Sequence, residues 1–131
     1  FYAGDIAVRD GGTLIVVSPN PEGVAERHPV VLRLGYLPFS EIARLVKSGA
    51  VDDVVGAAVL ADLAQIVDRV DCILVSPGIP CDQAERLGFR HAESPQEALT
   101  MALERQGSTA RVVVLRYGGR ILPMVGDDAR A

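Results

Sequence analysis

A layered α/β domain, with a mostly parallel sheet flanked by helices, is predicted by three features of this sequence. Leu14-Ile15-Val16-Val17 and Ile73-Leu74-Val75 are short apolar runs without polar alternation, the pattern of strands covered on both faces. Each ends in Ser-Pro, at Ser18-Pro19 and Ser76-Pro77, which places a turn at the strand's carboxyl end. Helical periodicities fill the interval, and strands separated by helices pair in parallel.

The elements follow in order. Phe1 to Arg9 reads as the back half of a helix that Gly11-Gly12 ends. Leu14 to Val17 is the first strand. Asn20-Pro21-Glu22-Gly23 then offers an N-cap, a first-position Pro and an acid, for a short helix to Arg27. Pro29 to Leu37 is ambiguous between extended chain and packed coil. Pro38 to Ser48 is a helix with Ile42, Leu45 and Val46 on one face, closed by Gly49. Val51 to Arg69 is a longer helix, with Val55, Val59, Leu63, Ile66 and Val70 at helical spacing and Asp62, Gln65 and Arg69 on the wet side. Gly56, Ala57, Ala58, Ala61 and Ala64 keep it slim enough to lie close to a sheet.

Cys72 to Val75 is the second strand and Pro80 to Leu87 a short helix stopped by Gly88. Phe89 to His91 is a link or a third strand. Ser94-Pro95-Gln96-Glu97 is the best cap in the chain: Ser can accept from the third-position N–H and Glu97 can reach back. That helix runs to Gln106. Arg111 to Arg116 reads as a further apolar strand, Tyr117-Gly118-Gly119 as a turn, Ile121 to Val125 as an edge strand or docking segment, and Gly126 to Ala131 as a frayed tail. The whole is a Rossmann-like layout in residues 1–131 as a single domain.

With 131 residues, 49% of them apolar, the chain can build one core. Net charge is -4 with both signs interspersed, so no basic stripe suits nucleic acid. No apolar run approaches a membrane span of about 20 residues. Two cysteines, Cys72 and Cys81, make no disulfide framework and suit a reducing cytoplasm. Phe1 in place of Met, in mid-helix, implies that the chain begins inside a longer protein.

Ligands of an open parallel sheet lie at the strands' carboxyl ends. The loop with Ser18, Asn20, Glu22 and Gly23 and the loop with Ser76 and Gly78 are therefore the ligand-facing candidates, with helix N–H groups available to a carboxylate or phosphate. Ordinary capping chemistry is the plainer reading of both. Cys81 at a helix start suits a stabilised thiolate, but no His follows it closely, and a half-buried structural Cys is the simpler expectation. His28 and His91 have no metal-ligand spacing, and a His before Pro reads as a surface or hydrogen-bonded residue. Asp52-Asp53 complements a helix dipole. Arg116-Tyr117-Gly118-Gly119-Arg120 is an anion clamp or, more simply, a solvated turn. No dinucleotide fingerprint, Walker motif or nucleophile elbow is present.

The string from Ala7-Val8-Arg9-Asp10-Gly11-Gly12-Thr13 through Leu14-Ile15-Val16-Val17-Ser18-Pro19, then Glu22-Gly23-Val24, resembles the C-terminal domain of the nickel-dependent lactate racemase family. Ile73-Leu74-Val75-Ser76-Pro77, Ser94-Pro95-Gln96-Glu97-Ala98-Leu99, Arg111-Val112-Val113-Val114-Leu115 and Leu122-Pro123 extend the resemblance in order and spacing. It implies a two-domain enzyme whose pyridinium dithioacid pincer cofactor holds nickel and takes and returns a hydride at the carbinol carbon of a 2-hydroxy acid. The two acid/base His residues and the cofactor-tethering Lys lie in the N-terminal domain, so no catalytic residue and no metal ligand maps here. A Tyr-Gln-x-x-Lys segment would precede Phe1. Family members can carry a Trp near the second long helix, and this chain has none. The implied partners are the N-terminal catalytic domain, a small hydroxy acid and a second copy in a homo-oligomer. The alternatives are a non-catalytic small-ligand-binding or regulatory module and an oligomerisation module.

Overall fold

The computed structural model describes residues 2–124 and 126. Along it run α1 (Tyr2–Ala7), β1 (Thr13–Val17), α2 (Val30–Leu34), α3 (Phe39–Lys47), α4 (Val54–Val67), β2 (Asp71–Val75), α5 (Cys81–Arg86), β3 (Arg90–His91) and α6 (Pro95–Gln106). The strands form one parallel sheet in the order β1-β2-β3. Thr13 pairs with Asp71 and Val17 with Val75, so the two Ser-Pro ends emerge side by side.

Strand alternation divides the core into two layers. Leu14, Cys72 and Leu74 face a larger cluster with Val30, Val31, Ala57, Leu60 and Ala64. Ile73 and Val75 face a smaller one with Ala92, Ala98 and Ala102 of the α6 side, with Ile15 packed against it. The α/β expectation therefore holds, with helices on both faces of the sheet. β2 is buried almost throughout, but β1 is an edge strand whose Val17 is 59% exposed, so only one of the two apolar runs is covered as expected.

Several local expectations are corrected. No helix follows Asn20-Pro21; Asn20 takes a positive φ of 37° and the chain turns instead. The ambiguous stretch holds α2, because Val30 and Val31 have a buried seat against the helix behind them. That helix, α4, buries Gly56, Ala57, Leu60 and Ala64 and exposes Val55 and Val59. A Cβ on Gly56 would collide with Val30 Cγ1, so α2 crosses α4 at a residue without a side chain, while Leu60 and Ile66 fill the rest of the buried face. Arg69, expected on the wet side, is half-buried and donates to the Asp5 carboxylate, to Val8 O at 2.8 Å and to Asp10 at 2.8 Å.

The Ser94 hydroxyl accepts from Glu97 N–H at 3.1 Å, as a capping box requires. Glu97 reaches back to the N–H of Glu93 at 2.8 Å, one residue further than expected. Residues 111–116, expected as a strand, have no ladder partner and run exposed, and 121–124 form no strand either. Val125 and, apart from Gly126, the tail expected to fray lie outside the described residues. Among the described residues no helix is long and apolar enough to cross a membrane.

Candidate functional site

The carboxyl ends of β1 and β2 are tied by one side chain. Asn20 Nδ2 donates to the Ser76 hydroxyl at 3.1 Å and to Ser18 O at 3.3 Å, while Asn20 Oδ1 accepts from the Ser18 hydroxyl at 3.1 Å. Ser76 Oγ donates to Pro19 O at 3.5 Å, and Gly78 N–H donates to the same oxygen at 3.1 Å. Ser18 N–H bonds Val75 O at 3.1 Å, which carries the sheet ladder one residue beyond β1. Ser76 is buried, and among the described residues no buried side-chain nitrogen or oxygen lacks a partner.

Of the residues that sequence pattern marks as ligand-facing, Ser18, Asn20, Gly23, Ser76 and Gly78 thus come together, and Glu22 stands exposed outside the cluster. The loop after β1 opens no helix, so the N–H groups expected there for an anion are absent. The two loops are tied into one wall, on which Pro19, Glu22 and Pro77 are exposed. It contains no nucleophile with a base.

Cys81 is exposed, not half-buried, and its thiol donates to Glu85 Oε1 at 3.5 Å. Desolvation, with the Glu85 carboxylate beside it, pushes that thiol above its ordinary value, the reverse of activation. Burial, with Asp71 adjacent, pushes the Cys72 thiol up to about 12. A thiol reagent on the native protein is expected to modify Cys81 slowly and Cys72 only after unfolding; equal rates for the two in native buffer would contradict this.

The pairing that spacing did not reveal is His28 with Asp53. His28 Nδ1–H donates to both carboxylate oxygens, at 3.0 and 3.1 Å, while Asp53 Oδ1 caps α4 by accepting from Gly56 N–H at 2.9 Å. The only local signal was an Asp at the N-cap position; the His lies 25 residues upstream. The Gly56 N–H first, and then His28, hold the Asp53 carboxyl below its ordinary 3.8. Its stabilising contribution is therefore complete above that value and is lost as pH falls through the depressed one. Asp53→Asn is expected to lower stability at neutral pH and to converge with the parent in acid; parallel urea midpoints across pH 2 to 7, roughly the carboxylate range, would count against it.

At the opposite, amino end of the sheet the Asp71 carboxylate accepts from Arg90 at 3.2 Å and Arg105 at 3.4 Å. This network and the Arg69 group surround a shallow polar recess of about 330 Å³ that includes Gly11, Val70 and Gly88. Its Arg69, Asp71 and Arg105 are all ion-paired, and Asp68 accepts from the Tyr36 hydroxyl. The Arg116–Arg120 turn is solvent-facing, with the Arg116 guanidinium 5.9 Å from the Tyr117 ring centre.

No protein-family model matches this chain, and no curated protein matches it. Among solved structures it is similar to the lactate racemase apoprotein from Thermoanaerobacterium thermosaccharolyticum, with a TM-score of 0.65 and 20% identity over 80% of this chain. The match covers 25% of that protein, so this chain spans about a quarter of its length. At that identity the similarity establishes a shared fold.

Proposed function

We propose that this chain is the cleft-wall domain of a lactate racemase-like isomerase, placed after its catalytic domain and acting with it on a small 2-hydroxy acid. The observation that carries the reading is the Asn20 clamp at the carboxyl ends of two adjacent parallel strands, in a fold shared with part of a lactate racemase apoprotein. A wall whose donors and acceptors satisfy one another needs no reorganisation when a second domain closes on it. Closure against such a wall strips water from a reacting centre.

The nickel-pincer cofactor belongs, in this reading, to the preceding domain. Among the described residues no three His, Cys, Asp or Glu side chains converge as metal ligands. The chain's contribution is shape, rigidity and exclusion of solvent. The full-length protein, loaded with cofactor, is expected to interconvert the enantiomers of a 2-hydroxy acid, and the 131-residue chain alone to show no turnover. Chiral chromatography of lactate and its homologues decides it: turnover by the short chain, or a full-length protein inert to every 2-hydroxy acid, overturns the proposal.

One feature favours a second reading, a self-associating module. α3 and α4 leave an apolar groove of about 350 Å³ lined by Phe39, Ile42, Val46 and Val54, with Phe39 and Val54 more than half exposed. Sedimentation would show a concentration-dependent dimer that Val54→Asp dissolves; a monomer at all concentrations removes this reading.

A further inference from the structure

β1 has an open edge. Asp71 N–H bonds Gly12 O at 2.9 Å and Ser18 N–H bonds Val75 O at 3.1 Å, so alternate residues between them face β2. The N–H and C=O groups of Thr13, Ile15 and Val17 therefore point to the side where β1 has no neighbour. Arg111-Val112-Val113-Val114-Leu115 has the complementary lack. It is β-branched and apolar, makes no backbone hydrogen bond among the described residues, and exposes Val112, Val113 and Val114 by 56%, 70% and 78%. Such a run, left bare, is costly in water and prone to pairing.

The chain brings the two within reach. Gln106 Nε2, at the end of α6, donates to Gly11 O at 2.9 Å and Thr13 Oγ1 at 3.1 Å, which pins that helix end beside the start of β1. Residues 107–110 can span about 13 Å, against about 4.8 Å between neighbouring strands. Past Leu115, the 3₁₀ turn Gly118–Arg120 touches α1. α1 lies against Leu14, whereas α6 packs on the Ile73 side. The segment thus runs from a helix on one face of the sheet to a contact with a helix on the other. A run apolar on both faces is what a strand in that position needs.

We propose that the open edge of β1 accepts residues 111–115 as a fourth parallel strand, giving the order β3-β2-β1-β4 with β4 at Arg111–Leu115. The winding then reverses between β1 and β4, and crevices at such reversals hold ligands in open α/β sheets. Pairing would bring the Arg116–Arg120 turn to the rim that carries Ser18 and Ser76. This extends the cleft-wall reading but does not depend on it: backbone exchange tests the strand, and hydroxy-acid turnover tests the cleft.

The test is hydrogen exchange on the whole chain at several protein concentrations, with Val112→Pro and Val113→Pro beside it. The expected result is slowed exchange at alternate amides of 111–115 and at Thr13, Ile15 and Val17, independent of concentration. One of the two prolines, the one replacing an inward N–H, should abolish that protection and the other leave it. Amides of 111–115 exchanging at unprotected rates at every concentration would overturn the proposal. So would protection that rises with concentration alongside a dimer, which assigns the strand to a second copy.

Discussion

Gly78→Ala is expected to unfold the domain about 3 kcal/mol more easily, the upper range for overpacking. A Cβ on Gly78 would overlap the carbonyl oxygen of Asn20 and sit 2.7 Å from that of Pro19. Both obstacles are backbone, so neither can swing aside as a side chain would. The loops after β1 and β2 must part, which also breaks the Gly78 N–H to Pro19 O bond and strains the Asn20–Ser76 bond. Gly78 does not take a positive φ, so the cost is steric and not conformational. Gly119→Ala is the control: nothing lies within 4 Å of a Cβ there, and its effect should fall within about 0.5 kcal/mol. Urea midpoints for the two variants decide it. If Gly78→Ala matches the control, the close approach of the two loops is not a feature of the folded protein. In the full-length protein the same variant should impair turnover of the hydroxy acid, because the wall no longer holds one shape.

The second large effect belongs to the centre of the sheet. Ile73→Ala should cost about 4 kcal/mol, within the range for deleting a fully buried large aliphatic side chain. Ile73 has no exposed surface, and it joins Val75 to Ala92, Ala98 and Ala102 beneath α6. Three of its neighbours there are alanines, short side chains that cannot move in to fill the space, so much of the cavity persists. Ile73→Val, which removes one methylene, should cost about 1 kcal/mol. Thermal unfolding of the pair gives the ratio. A loss under about 1.5 kcal/mol for the alanine variant, the level of a tolerated core swap, would mean that the α6 layer closes over the gap and is far more plastic than its packing shows.

The strands and the later helices were legible because their signals are local. Ser94 and Glu97 carry a capping pattern within four residues, and β2 is apolar at every position that the sheet buries. The failures share one cause. Asn20-Pro21 reads as a helix start, yet Asn20 bonds Ser76, 56 residues away, and that bond competes with local capping and wins. Val55 and Val59 are more apolar than Ala57 and Ala64, yet the alanines face inward beside Leu60, because α2 crosses α4 at Gly56 and turns that face to the core. His28 and Asp53 are unremarkable alone and become a pair only when α4 is set beside the loop that follows β1.

The amino-acid order by itself determined the class of this protein: parallel strands, helical layers on both faces, and two loops sharing the sheet's carboxyl end. Periodicity, caps and Ser-Pro stops act within a few residues and need no partner. Which face of α4 is buried and how the two rim loops are locked were decided by the tertiary structure alone. Those outcomes depend on distances between chain segments tens of residues apart, and no local pattern encodes such a distance.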